Sequence, residues 1–217
     1  MTCTSSPLKP RSQVRTEIDV SPRQFPRDYR VYLLVTALFG LGNSSNQFLI
    51  LQTRDMGASL EQTILVYAAF NLVAALISYP AGFLSDRLGR RNVLLASFAV
   101  FLIAYTGFAV TRNILVIAGL FVFYGLYQGI YRAVGKAFAA DLVPEHLRAS
   151  GIGWYSTMVG VVQLLASLVA GLLWDRVSHA AVFAYGATFA LIGSIALIVS
   201  TRAHPRAGDR ARPVVLS

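Results

Sequence analysis

Apolar runs of about 20 residues, nearly free of charge, recur at short intervals along this 217-residue chain. They cover approximately Tyr32–Leu51, Gln62–Leu84, Asn92–Val110, Ile114–Ala140, Ala149–Trp174 and Ala180–Ser200. Each is long enough to cross ~30 Å of hydrocarbon as a helix. Backbone polar groups in lipid must be satisfied within the structure, which leaves helices or closed barrels. The ten-residue alternation of a membrane barrel is missing from the sequence. Charged residues make up 13% of the chain, against about 25% in soluble domains, and mean hydropathy is +0.58. The fold class expected is an all-α polytopic membrane protein with six transmembrane helices.

The formal net charge of +9 raises nucleic acid as a partner, but the basic residues sit in tails and short loops and not along one face. They are better explained by topology. Six lie before the first span, three (Arg87, Arg90, Arg91) between the second and third, three (Arg132, Lys136, Arg148) around the fourth-to-fifth connection and four after the last span. That places sixteen on one side, against Arg54, Arg112 and Arg176 on the other. By the positive-inside rule the sixteen face the cytoplasm. The expectation is a multi-pass protein of the plasma membrane (the cytoplasmic membrane of a bacterium) with both termini cytoplasmic. Residues 1–29 read as a disordered polar tail or linker without the apolar core of a secretory signal, 30–201 as the six-helix domain, and 202–217 as a second cytoplasmic tail.

An internal echo bears on how the helices are arranged. Ala81-Gly82-Phe83-Leu84-Ser85-Asp86-Arg87 and Ala170-Gly171-Leu172-Leu173-Trp174-Asp175-Arg176 agree at five of seven positions. The first copy closes the second span on the cytoplasmic side, the second closes the fifth span outside. Two inverted three-helix repeats would produce this, an arrangement that transporters use.

Polar groups inside the spans are the candidate site. Asn43, Asn46 and Gln47, at i, i+3 and i+4, would share one face of a continuous helix. They would either bond to neighbouring helices or line a substrate path. Asn71 and Gln163 are isolated polar groups, Asn71 reading as a packing position. Gly125, Gly129, Ala133 and Ala137 form a small-residue stripe suited to close packing. Beside it run Gln128, Arg132 and Lys136. Lys136 can snorkel, whereas Arg132 lies deeper, where ionisable groups mark pathways or gates; the alternative is that it snorkels or pairs with Asp141. Tyr131 fits an interfacial aromatic belt, Tyr124 less well, and Trp174 fits an interfacial anchor.

Nothing in the sequence points to an enzyme. His146, His179 and His204 are far apart, Cys3 is the lone cysteine, and the span interiors hold no acidic residue. No catalytic set, cofactor-binding motif or metal-ligand spacing is expected.

Gly82-x-x-x-Asp86-Arg87-x-Gly89-Arg90-Arg91 resembles the signature loop of the major facilitator superfamily, found between the second and third helices of each six-helix half. Asp141-x-x-Pro144-x-x-x-Arg148, followed by Gly151-x-Gly153, resembles the fourth-to-fifth connection of the C-terminal half. The resemblance covers residues 30–200 and implies one half of a twelve-helix transporter. It implies that Asp86 and its arginines form a cytoplasmic latch that docks on a helix start in the other half, with Ala149–Gly153 receiving the partner's latch. The expected function is transport of a small solute by alternating access, with a second six-helix half (another copy, a separate chain or an N-terminal part of the same gene) as partner. Asn43, Asn46, Gln47, Gln128 and Arg132 are the candidate cavity residues. The rival expectation is a non-transporting membrane interaction protein or inactive remnant. Small-molecule substrate and lipid bilayer are the other expected partners, and nucleic acid is not.

Overall fold

The computed structural model describes residues 24–44, 46–55, 57–111 and 113–202, with side chains to residue 200. Of the tails expected over residues 1–29 and 202–217, residues 1–23 and 203–217 lie outside the described residues. Among the described residues there is no strand. The helices are α1 (Arg27–Gly42), α2 (Gln47–Asp55), α3 (Leu60–Leu88), α4 (Arg90–Val110), α5 (Ile114–Asp141), α6 (Arg148–Arg176) and α7 (His179–Arg202), with a 3-10 turn at Glu145–Leu147 before α6. By length and composition α3 to α7 can each cross a membrane. The chain is a multi-pass membrane protein.

The first expected span is not one helix. It divides into α1 and α2 at residues 43–46. The sequence there, Gly42-Asn43-Ser44-Ser45-Asn46, concentrates residues that favour caps and turns over helix interiors. The Asn43 amide N–H turns back to the Gly40 carbonyl at 2.9 Å, closing α1. The expected N-terminal tail is also shorter than residue 29, since Phe25 and Tyr29 are buried and α1 begins at Arg27.

The second expected span stops at Leu84, but α3 continues to Leu88. It starts in a capping box: Ser59 Oγ accepts from the Gln62 amide and Gln62 Oε1 accepts from the Ser59 amide. Pro80 removes one backbone hydrogen bond without ending the helix, as membrane helices tolerate. The expected loop Gly82–Arg91 is therefore almost entirely helical. Gly89 alone joins α3 to α4, with φ +85°, a backbone region that side chains with a Cβ avoid.

Between lipid-exposed helices there is little hydrophobic driving force, so close packing and polar pairs hold the bundle. Helix α5 packs on α3 and α4, and α7 packs on α1 and α4. A Cβ on Gly125 would stand 2.8 Å from the Phe70 carbonyl oxygen, and one on Gly129 would strike Ala74 and Ile77, so the small-residue stripe does seat α5 on α3. Across from it, Tyr124, Tyr127 and Tyr131 interleave with Phe39, Phe98, Phe101 and Tyr105. The closest ring pair is Phe39–Phe98, stacked at 3.8 Å. Tyr131 belongs to this core and not to an interfacial belt, because its ring is buried. The least buried membrane helices are α3 and α6, and they make no extended contact with each other.

Candidate functional site

The break between α1 and α2 is tied to α5 by its own amides. Asn43 Nδ2 donates to Tyr127 Oη at 2.9 Å, and Tyr124 Oη donates to Asn46 Oδ1 at 2.6 Å. A helix that unwinds within a membrane must satisfy its freed polar groups with neighbouring helices, and the two tyrosines do this. Asn43 Oδ1 stays buried without a hydrogen-bond partner among the described residues. Because the helix is broken, Asn43, Asn46 and Gln47 do not share one helix face. Asn43 caps α1, while Gln47 begins α2 and is exposed.

Gln128 and Arg132 lie four and eight residues after Tyr124, so the three follow one another along α5. With the Gln128 amide oriented by its hydrogen bonds, its oxygen accepts from Arg132 Nη2 at 2.8 Å and from Nε at 3.3 Å. Gln128 is buried; Arg132 and Lys136 are exposed. Arg132 does not pair with Asp141, whose carboxylate belongs to Arg90. A polar file thus runs Asn46, Tyr124, Gln128, Arg132, Lys136. From Gln128 onward it lies between the strip of α5 seated on α3, at Gly129, and the strip facing the Tyr32 and Tyr155 hydroxyls, at Gly135. At 3.6 residues per turn, Arg132 is about 60° from each. It therefore opens toward the gap between α3 and α6. Asn71 on α3 and Gln163 on α6 are also exposed. Asn71 is not packed against another helix among the described residues, and its amide donates to the Tyr67 carbonyl of its own helix at 2.8 Å.

At the far end of α3, Asp86 Oδ1 lies 3.4 Å from Arg90 Nη2, and Arg90 Nε lies 3.0 Å from Asp141 Oδ2. Arg90 thereby joins the two loops singled out in the sequence. Arg91 Nη2 donates to the Ile198 carbonyl at 3.3 Å, fastening α4 to α7, and Arg87 lies over the Phe83 ring at 4.3 Å. Arg148 approaches Glu145 at 3.8 Å, and both are exposed. A Cβ on Gly82 would meet nothing within 4 Å, so no contact among the described residues requires glycine there.

Three sets of contacts were not foreseen. Tyr29 Oη donates to the Gly151 carbonyl at 2.6 Å and Tyr32 Oη to the Gly135 carbonyl at 3.0 Å, tying the start of α1 to α6 and α5. The third set is at the opposite end of the bundle, where His179 Nδ1 lies 3.2 Å from Asp55 Oδ2. There Trp174 stacks on the His179 ring at 4.0 Å. A cavity of about 400 Å³ opens beside this pair, lined by Gln52, Phe108 and Thr111 among others. The tyrosines and the polar residues at the helix ends are visible in the sequence, but nothing local pairs them.

The Major Facilitator Superfamily family model matches residues 32–216. The chain belongs to the major facilitator superfamily. Among curated relatives of this superfamily, the uncharacterised MFS-type transporter MJ1317 of Methanocaldococcus jannaschii is 33% identical over 82% of this chain and 46% of its own length. The MFS-type transporter YqjV of Bacillus subtilis is 28% identical over 70% of the chain and 37% of its own length. The quinolone resistance protein NorA of Staphylococcus aureus is 27% identical over 67% and 37%. The chain thus spans half or less of the length of these major-facilitator relatives.

Proposed function

We propose that the chain is one half of a major-facilitator permease and moves a small solute by alternating access against a second six-helix half. The half comprises six spans, with α1 and α2 together forming the first, in two inverted repeats. In support of the repeat, both copies of the Ala-Gly…Asp-Arg echo lie in the last turns of long helices, α3 and α6. The second half is another copy, a separate polypeptide or further sequence. Both tails face the cytoplasm of a plasma membrane, and Asp86 with Arg87, Arg90 and Arg91 forms the latch.

The observation that carries this reading is the polar file of α5. It begins at a helix break and opens between the two least buried helices, where Asn71 and Gln163 are also exposed. Polar groups aimed at lipid are costly, so this side is the cavity face, and α3 and α6 are its rims against the other half. Gly82, Gly153 and Gly160, with nothing near a built Cβ, leave room for close approach there. The reading is tested by single cysteines in a Cys3→Ser background in proteoliposomes. Asn71→Cys and Gln163→Cys react with a water-soluble maleimide, whereas Phe123→Cys, on the opposite side of α5 from Arg132, does not. Silence at both polar positions contradicts the cavity and favours a non-transporting helix-binding protein.

A further inference from the structure

The charge inside this bundle has one sign. The acidic residues of the described helices sit at their ends: Asp28, Asp55, Glu61, Asp86, Asp141 and Asp175. Asp86 and Asp141 pair with Arg90, and Asp55 lies against the His179 ring nitrogen. Arg132 pairs with no carboxylate among the described residues, and its guanidinium is held by the neutral Gln128 amide. An arginine does not shed its charge by deprotonating, so this one has to be met by water or by an anion.

The Arg132 side chain runs toward the middle of α5 and is held there by Gln128. Arg132 is nine residues before the end of α5 at Asp141, ~13 Å along the axis. An arginine escaping hydrocarbon snorkels toward the nearer interface, here the Asp141 end. Its contact with Gln128 lies one turn the other way, toward the middle of the helix. Side chains on a helix lean toward its N-terminus, and the Gln128 oxygen fixes that lean with two N–H donors of the guanidinium. Arg132 itself is exposed on the face of α5 between its α3 and α6 contacts, with Lys136 one turn behind.

We propose that Arg132 is the charge-recognition point for an anionic solute, a carboxylate or phosphate, with Gln128 as the positioning residue that aims the guanidinium. Lys136 adds a second positive charge between the solute and the Asp141 end. This inference rests on the permease reading and names its substrate class. A guanidinium offers such oxyanions paired donors in a fixed fork.

The test uses the full chain in phosphatidylcholine nanodiscs and three probes of one shape and different charge, benzoate, benzamide and benzamidine, together with inorganic phosphate. Thermal unfolding is followed by intrinsic fluorescence. Benzoate or phosphate at saturation raises the midpoint by about 2–4 °C, while benzamide and benzamidine do not. Arg132→Gln abolishes the rise and Arg132→Lys keeps part of it; the lysine variant also serves if the glutamine variant does not fold. A rise that persists in Arg132→Gln, a rise with benzamidine, or no rise with either anion overturns the proposal. A lipid phosphate has the same chemistry, so the series is repeated with phosphatidylglycerol. Arg132-dependent stabilisation by that lipid alone, with none from the free anions, identifies a lipid counter-charge and overturns the solute. Failure here with Asn71→Cys and Gln163→Cys still water-accessible removes the anion and leaves the permease; anion binding without that access removes the permease.

Discussion

Arg90 Nε reaches from the first turn of α4 to Asp141 Oδ2 at the end of α5, 3.0 Å away, while its Nη2 lies 3.4 Å from Asp86 on α3. One guanidinium thus ties three helix ends together, and it does so within a single half. Asp86 is the looser partner, with its side chain 66% exposed, so its carboxylate remains available to a group outside this chain.

This division predicts unequal effects. Exposed ion pairs contribute at most about 1 kcal/mol. A double-mutant cycle on Arg90→Gln and Asp141→Asn should give a coupling energy in the upper part of that range. The cycle on Arg90→Gln and Asp86→Asn should give a value near zero. Urea unfolding in detergent reads both. Asp86→Asn should therefore insert and fold normally, and on the permease reading proposed above any shift it makes between inward- and outward-open states acts through the second half.

The glycines separate packing within the half from contact beyond it. Gly129→Ala forces α5 away from Ala74 and Ile77 and should cost about 1–3 kcal/mol. Gly82→Ala meets open space and should leave thermal stability within error. If Gly82→Ala destabilises the isolated chain as much as Gly129→Ala, the exposed face of α3 is packed by this chain itself.

At the helix break, Tyr127→Phe leaves the Asn43 amide without its acceptor and Tyr124→Phe leaves Asn46 Oδ1 without its donor. Each strands a polar group, worth about 1–3 kcal/mol where it is buried. Hydrogen exchange of the amides around residues 43–47 should rise in both variants while exchange in α4 stays unchanged.

At the other end, the stacked His179 ring lies against Trp174. In a Trp154→Phe background, His179→Ala should change Trp174 emission in intensity and wavelength, with little loss of stability because the ion pair to Asp55 is about half exposed. Emission identical to the parent would show that the ring does not rest on the indole in the membrane.

The spans and the basic connections were legible because hydropathy and charge are local properties of the sequence. The break at Asn43–Asn46 was not, since an i, i+3, i+4 pattern presupposes the continuous helix that these residues interrupt. Charge and glycine made Gly82–Arg91 look like a loop, yet Asp86 and Arg90 are separated by one helical turn and only Gly89 leaves the helix. The tyrosine ties join residues 78 and 84 positions apart, and the Asp55–His179 pair spans most of the chain. No sequence window holds such partners together. Arg132 and Gln128 were legible as neighbours on a helix face; that the guanidinium turns away from the nearer helix end was not.

On the permease reading proposed above, the side of the bundle bearing Asn71, Arg132 and Gln163 faces a cavity that opens in turn to each side of the membrane. The most direct measurement is the sidedness of Asn71→Cys labelling in oriented proteoliposomes, with an impermeant maleimide supplied from the outside or from the lumen. Labelling is expected from both sides in competing populations, with Asp86→Asn shifting the ratio between them. Labelling from one side only, unchanged by Asp86→Asn, would contradict it.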